Sequence, residues 1–130
     1  MSFATELQGV SIVGLDPAQG AGENPLLLSR DGSVPALFIP VPAGEKLVIG
    51  DWINSAAALC PMRLQKSVDA GASWFDMALM RTGPNDANKM NLDTPLVVTG
   101  GAGVRIRVLA DLVAPALVMS TLRCQSQVAA

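Results

Sequence analysis

Apolar residues in this chain come in short runs of about five to nine, rich in Val, Ile and Leu, with twelve glycines and nine prolines spaced between them. That spacing suits strands. No stretch sustains the i, i+3, i+4, i+7 recurrence of an amphipathic helix, and the Ala-rich piece Ser55 to Leu59 is too short to make one. The alternation predicts strands at about Leu7 to Val13, Leu26 to Leu28, Val34 to Pro40, Lys46 to Asn54, Leu59 to Ser67, Ser73 to Arg81, Pro95 to Thr99, Val104 to Leu109 and Leu117 to Cys124. In Val104-Arg105-Ile106-Arg107-Val108 the aliphatic side chains point one way and the arginines the other. Cys60, Met62 and Leu64 likewise oppose Arg63 and Gln65. Phe75, Met77 and Leu79 oppose Asp76 in the following strand, and the two strands should form a hairpin.

Eight to nine short antiparallel strands in one domain of this length predict an all-β sandwich of jelly-roll type, two stacked four-stranded sheets over residues 1–130. Two stretches break the pattern and are expected to be irregular: Gly14 to Asn24, part of an N-terminal arm over 1–24, and the polar segment Thr82 to Thr94.

Ser67-Val68-Asp69-Ala70-Gly71-Ala72-Ser73-Trp74 fits S-x-D-x-G-x-[ST]-W at every fixed position and so resembles an Asp-box. The chemistry of the pattern is local. The Asp69 carboxylate can accept hydrogen bonds from turn amides, Gly71 can supply a positive φ, and Trp74 can fold across the hairpin. Ser67, Asp69, Gly71, Ser73 and Trp74 are therefore read as a structural turn. In the sialidase-like propellers where the motif is familiar it repeats on successive blades, and this chain holds one copy. A second turn, Ile39-Pro40-Val41-Pro42-Ala43-Gly44-Glu45-Lys46-Leu47-Val48-Ile49, resembles the VPAG-x-x-L-x-I turn of small β-sandwich modules in bacteriophage particles.

Together with Gly103 to Val108, these features make the chain similar in style, over roughly residues 35–125, to phage jelly-roll capsid decoration, or cement, proteins. The resemblance implies a virion structural protein that is made in the host cytoplasm. It would bind the major capsid protein on the capsid exterior, often as a homotrimer, and brace the lattice without catalytic residues or cofactors. An irregular terminal arm and exposed loops would attach it.

Composition sharpens this picture. Half the residues are apolar and 15% are charged, which leaves apolar surface for a subunit contact. A net charge of −2 gives no electrostatic basis for nucleic acid or an anionic membrane as partner, and no apolar run reaches the roughly 18 residues of a spanning helix. The amino terminus lacks the basic start of a signal peptide and carries Glu6.

The absence of histidine removes the commonest general base, the Ser-His-Asp and Cys-His arrangements and nearly all zinc sites. No catalytic, metal or cofactor residue is assigned. Asn85, Asp86, Asn88, Asn91 and Asp93 bring oxygens into one stretch, but without EF-hand spacing. Trp52, Asn85, Asp86 and Asn88 are candidate interface residues, with a place in the core at least equally open to Trp52. Arg105 and Arg107 are expected to pair across strands with carboxylates. Cys60 and Cys124 are read as buried thiols, with a late bridge open to them if they lie on adjacent strands. Alternative readings are a carbohydrate- or receptor-binding module of a phage tail, for which the five aromatic residues are few, and a small glycosidase, which lacks a base.

Overall fold

The computed structural model describes residues 8–17, 22–83, 87–112 and 117–128. They form ten strands and no helix: β1 (Gln8–Pro17), β2 (Gly22–Pro25), β3 (Leu27–Arg30), β4 (Ile39–Pro40), β5 (Glu45–Ala56), β6 (Cys60–Ser67), β7 (Phe75–Thr82), β8 (Ala87–Thr99), β9 (Arg105–Leu112) and β10 (Leu117–Val128). The first sheet runs β3-β1-β10-β5-β8. The second runs β2-β9-β6-β7, with β4 added to β9. Every pairing between strands is antiparallel. The chain changes sheet at each successive strand except in the β6–β7 hairpin.

The inner faces meet in one core. Ile12, Leu47, Ile49, Trp52, Val98 and Leu122 come from the first sheet, and Met62, Leu64, Ile106, Val108 and Ala110 from the second. Alternation puts them there: in β9, Ile106 and Val108 are fully buried while Arg105 and Arg107 stay on the outer side. Burying each such side chain contributes roughly 1.5–3 kcal/mol against leaving it in water.

The all-β sandwich is as expected, but the sheets have five strands each. The polar stretch Thr82 to Thr94 is not one irregular loop, because Thr82 ends β7 and β8 begins at Ala87. The backbone there pairs Ala87 to Asn91 with Ser55 to Asp51, and this ladder needs no apolar side chains. Gly14 to Asn24 similarly gives up its ends to β1 and β2. Conversely, Val34 to Pro40 is mostly not strand. Only Ile39 and Pro40 pair with β9, apart from a single bridge between Leu28 and Ala36.

Two bulges explain the other differences. In β5 the inward side chains are Leu47 and Ile49, then Trp52, Asn54 and Ala56. Gly50 is the extra residue, since Asp51 pairs with Arg123 and Ile49 with Cys124. In the hairpin, Leu64 pairs with Ala78 but Gln65 with Asp76, so Met77 is extra and the phase of β7 slips. Of the residues expected on the inner side, Met77 packs on the core and Leu79 is 58% exposed, its place taken by Ala78 and Met80; Phe75 begins the strand opposite Lys66, in register with the buried Ile106, and is 54% exposed.

Candidate functional site

The β6–β7 turn is built by the side chains that the motif singled out. Ser67 is wholly buried at the end of β6. Its hydroxyl donates to Asp69 Oδ1 (2.8 Å) and accepts from the Gly71 amide (2.8 Å). Asp69 Oδ1 also accepts from the Ser73 amide (2.9 Å), and Asp69 Oδ2 takes the Ser73 hydroxyl. Ala70 and Gly71 both adopt positive φ, 58° and 90°, the second of which suits glycine alone. Trp74 closes the turn by donating Nε1–H to the Gly71 carbonyl (3.1 Å).

The Ser73 hydroxyl, the Ser73 amide and the Ser67 hydroxyl together lower the Asp69 carboxyl to about 2. Because the folded value lies below the ordinary aspartate value of about 3.9, the turn's contribution is complete above that pH. It is lost as pH falls toward 2. Asp69→Ala should therefore lower the melting temperature by a few degrees, on the order of 2–5 °C. The gap from wild type should be full at pH 7 and narrow between about pH 4 and pH 2. An equal gap at both ends of that range in thermal melts would refute this role.

The turn docks on the β8–β9 connection. The Ala70 amide donates to the Gly103 carbonyl (3.0 Å), and a Cβ at Gly103 would sit 2.9 Å from the Val68 oxygen and the Ala70 nitrogen. The same connection packs on the VPAG turn, with Gly100 N–H bonded to Glu45 O (2.7 Å) and Gly101 N–H to Val41 O (3.0 Å).

On the outer face of the second sheet, next to this turn, lies a cluster of cations. Arg63 bonds Asp76 (2.8 Å) and Glu23 (3.3 Å). Gln65 bridges Asp76 (2.8 Å) to Arg107 Nε (2.9 Å). The carboxylate pairing expected of Arg105 and Arg107 falls to Arg63 instead. Arg105 lies over the Phe38 ring and Arg107 over the Trp74 ring, each 4.0 Å from the centroid. Burial pulls Arg107 below the usual arginine value. A shallow groove of about 250 Å³ crosses the same hairpin farther along, lined by Pro61, Met62, Arg63, Leu79, Met80 and Arg81.

The other candidates fall elsewhere. Trp52, read as an interface residue, is fully buried and donates Nε1–H to Ser120 Oγ (2.9 Å), so it belongs to the core. Asn88 lies in β8 opposite Asn54. Asn85 and Asp86 lie outside the described residues. Cys60 and Cys124 are buried thiols that form no disulfide, on strands of different sheets rather than adjacent ones. Burial pushes the Cys124 thiol up to about 12, leaving it protonated and unreactive.

Sequence reasoning missed an ion pair. Arg30 grips Glu45 through both carboxylate oxygens (2.8 and 2.7 Å), and the Ser126 hydroxyl completes the set (2.6 Å). The three residues stand on β3, β5 and β10, so no spacing in the sequence links them.

Comparison with protein-family models, with curated proteins and with solved structures finds no match to the chain. The functional reading therefore rests on the molecule's own chemistry.

Proposed function

We propose that this chain is a non-enzymatic structural protein of a phage virion, a decoration protein that binds the major capsid protein on the capsid exterior and stabilises the lattice as a homo-oligomer. The observation that carries the reading is the set of large apolar side chains held out to solvent on a rigid frame. Val34 is 87% exposed and Leu37 about half exposed on the segment after β3. Leu117 and Met119 project from one face of β10, and Val97 projects from β8. Apolar surface presented this way is stabilised by covering it with protein. The strand order supports the jelly-roll form of the sandwich. With β3 and β4 set aside, β1-β10-β5-β8 faces β2-β9-β6-β7, which is the arrangement a rolled-up pair of Greek keys produces.

The test is the mass of the purified chain in solution together with co-sedimentation on assembled capsids of its source phage. An oligomer, with a trimer favoured, that pellets with capsids is the expected result. A monomer that ignores capsids would sink the reading. A glycan panel tests the alternative of a tail carbohydrate-binding module, which half-exposed Phe75 could serve. Glycan binding abolished in Phe75→Ala, with the melt unchanged, would replace the decoration reading.

A further inference from the structure

We infer that Arg105 and Arg107, backed by Phe38 and Trp74, form an anion-binding platform that takes an extended acidic polypeptide segment with carboxylates at alternate positions. This rests on the protein-adhesion reading above and names the chemistry of the partner.

The two arginines stand at i and i+2 on the outer side of β9, so their stems are roughly 6.6 Å apart. Alternate side chains of any other extended chain have the same separation. Each guanidinium is stacked on an aromatic ring 4.0 Å away, which holds the planar fork in one orientation, and a fork so held can bond a carboxylate through two N–H groups. The Asp-box turn closes one side of the platform, since a Cβ at Gly71 would lie 3.3 Å from Arg105 Nη1 and 3.6 Å from Trp74 Cζ2.

Among the described residues, no carboxylate contacts either guanidinium at short range. The carboxylates of Glu23 and Asp76 both go to Arg63, and Arg107 uses only its Nε, toward the neutral Gln65. Glu23 is close enough to Arg107 to favour its charge, and Asp111 lies four residues beyond it on β9. In a chain of net charge −2, two ring-stacked cations with no carboxylate in contact among the described residues are a local exception. Their rigidity reduces the ordering cost of binding.

The experiment follows the side-chain N–H signals of Trp74, Arg105 and Arg107 by NMR while the full chain is titrated with a short peptide bearing aspartate at alternate positions. The same peptide with asparagine serves as the comparison. The buried Trp52 indole reports that the fold is intact. The aspartate peptide is expected to move all three signals, to bind at least about tenfold tighter than the asparagine peptide, and to weaken at roughly 0.5 M salt. Arg105→Gln with Arg107→Gln should abolish the difference. Arg105→Lys with Arg107→Lys, which keeps the charge and loses the fork, should retain only part of it.

Equal binding of the two peptides, or an undiminished preference in the glutamine variant, overturns the inference. So does a sialylated glycan that moves these signals when the peptide does not. Capsids pelleting the wild-type chain without any peptide effect would overturn this platform alone. A peptide effect without capsid binding would overturn the decoration reading alone.

Discussion

Gly100→Ala is expected to cost about 3 kcal/mol or more, with a melting temperature at least roughly 10 °C lower, or to prevent folding. A Cβ at this position would overlap the Pro42 carbonyl oxygen and lie 2.7 Å from that of Glu45. Both obstacles are backbone, fixed by the VPAG turn, where Glu45 N–H bonds Pro42 O (3.1 Å) and Gly44 adopts a φ of 91°. No side chain can swing aside to make room. Moving the turn would also break the Gly100 and Gly101 hydrogen bonds that tie the β8–β9 connection to it. Gly50→Ala is the control. Its Cβ would meet only the Arg123 carbonyl at 3.9 Å, so its cost should stay within about 1 kcal/mol. Thermal melts of the two variants that coincide would show that the two turns do not press together.

The second large effect is expected from Glu45→Gln, at about 2–3 kcal/mol. The Glu45 side chain is 9% exposed and carries the bidentate bond from Arg30 together with the Ser126 hydroxyl. Its neutral replacement leaves the Arg30 charge without its partner. The Arg30 side chain is 25% exposed, so water recovers part of the loss and the cost falls short of that for a fully enclosed pair.

The hydrogen bonds from Arg30, and secondarily from Ser126, hold the Glu45 carboxyl below the ordinary glutamate range. A depressed folded value means that the stabilisation is complete above about pH 4.3 and disappears as the carboxyl protonates below it. Chemical denaturation of wild type and Glu45→Gln should therefore give stabilities that differ most near neutral pH and converge toward pH 3. A constant difference across that range would show that the charge is not what the site uses.

Local chemistry was legible in the sequence, and phase and distance were not. The Asp-box residues announce their own turn because Ser67, Asp69, Gly71 and Ser73 bond within one another's reach along the chain. The inward sets Cys60, Met62, Leu64 and Ile106, Val108 follow directly from period-two alternation. Leu79 was misplaced because one inserted residue, Met77, turns the strand over between Phe75 and Leu79, and nothing in the hydropathy pattern marks the insertion. Trp52 is similar. The bulge at Gly50 sends it inward, and its hydrogen-bond partner is Ser120, 68 residues away. The cation platform was half visible: Arg105 and Arg107 stood out as an outward pair, but the rings beneath them come from Phe38 and Trp74, which the fold alone brings to β9.

The place of β10 has a consequence for how the molecule comes into being. It is the last of the ten strands and lies in the middle of its sheet, between β1 and β5. Until residues 117–128 leave the ribosome, β1 and β5 have open backbone edges facing an empty lane, and the oily inner face of that sheet has no complete wall. Assembly must wait for translation to pass this point, because ordering such distant segments incurs the full loop-closure entropy before any ladder forms to offset it.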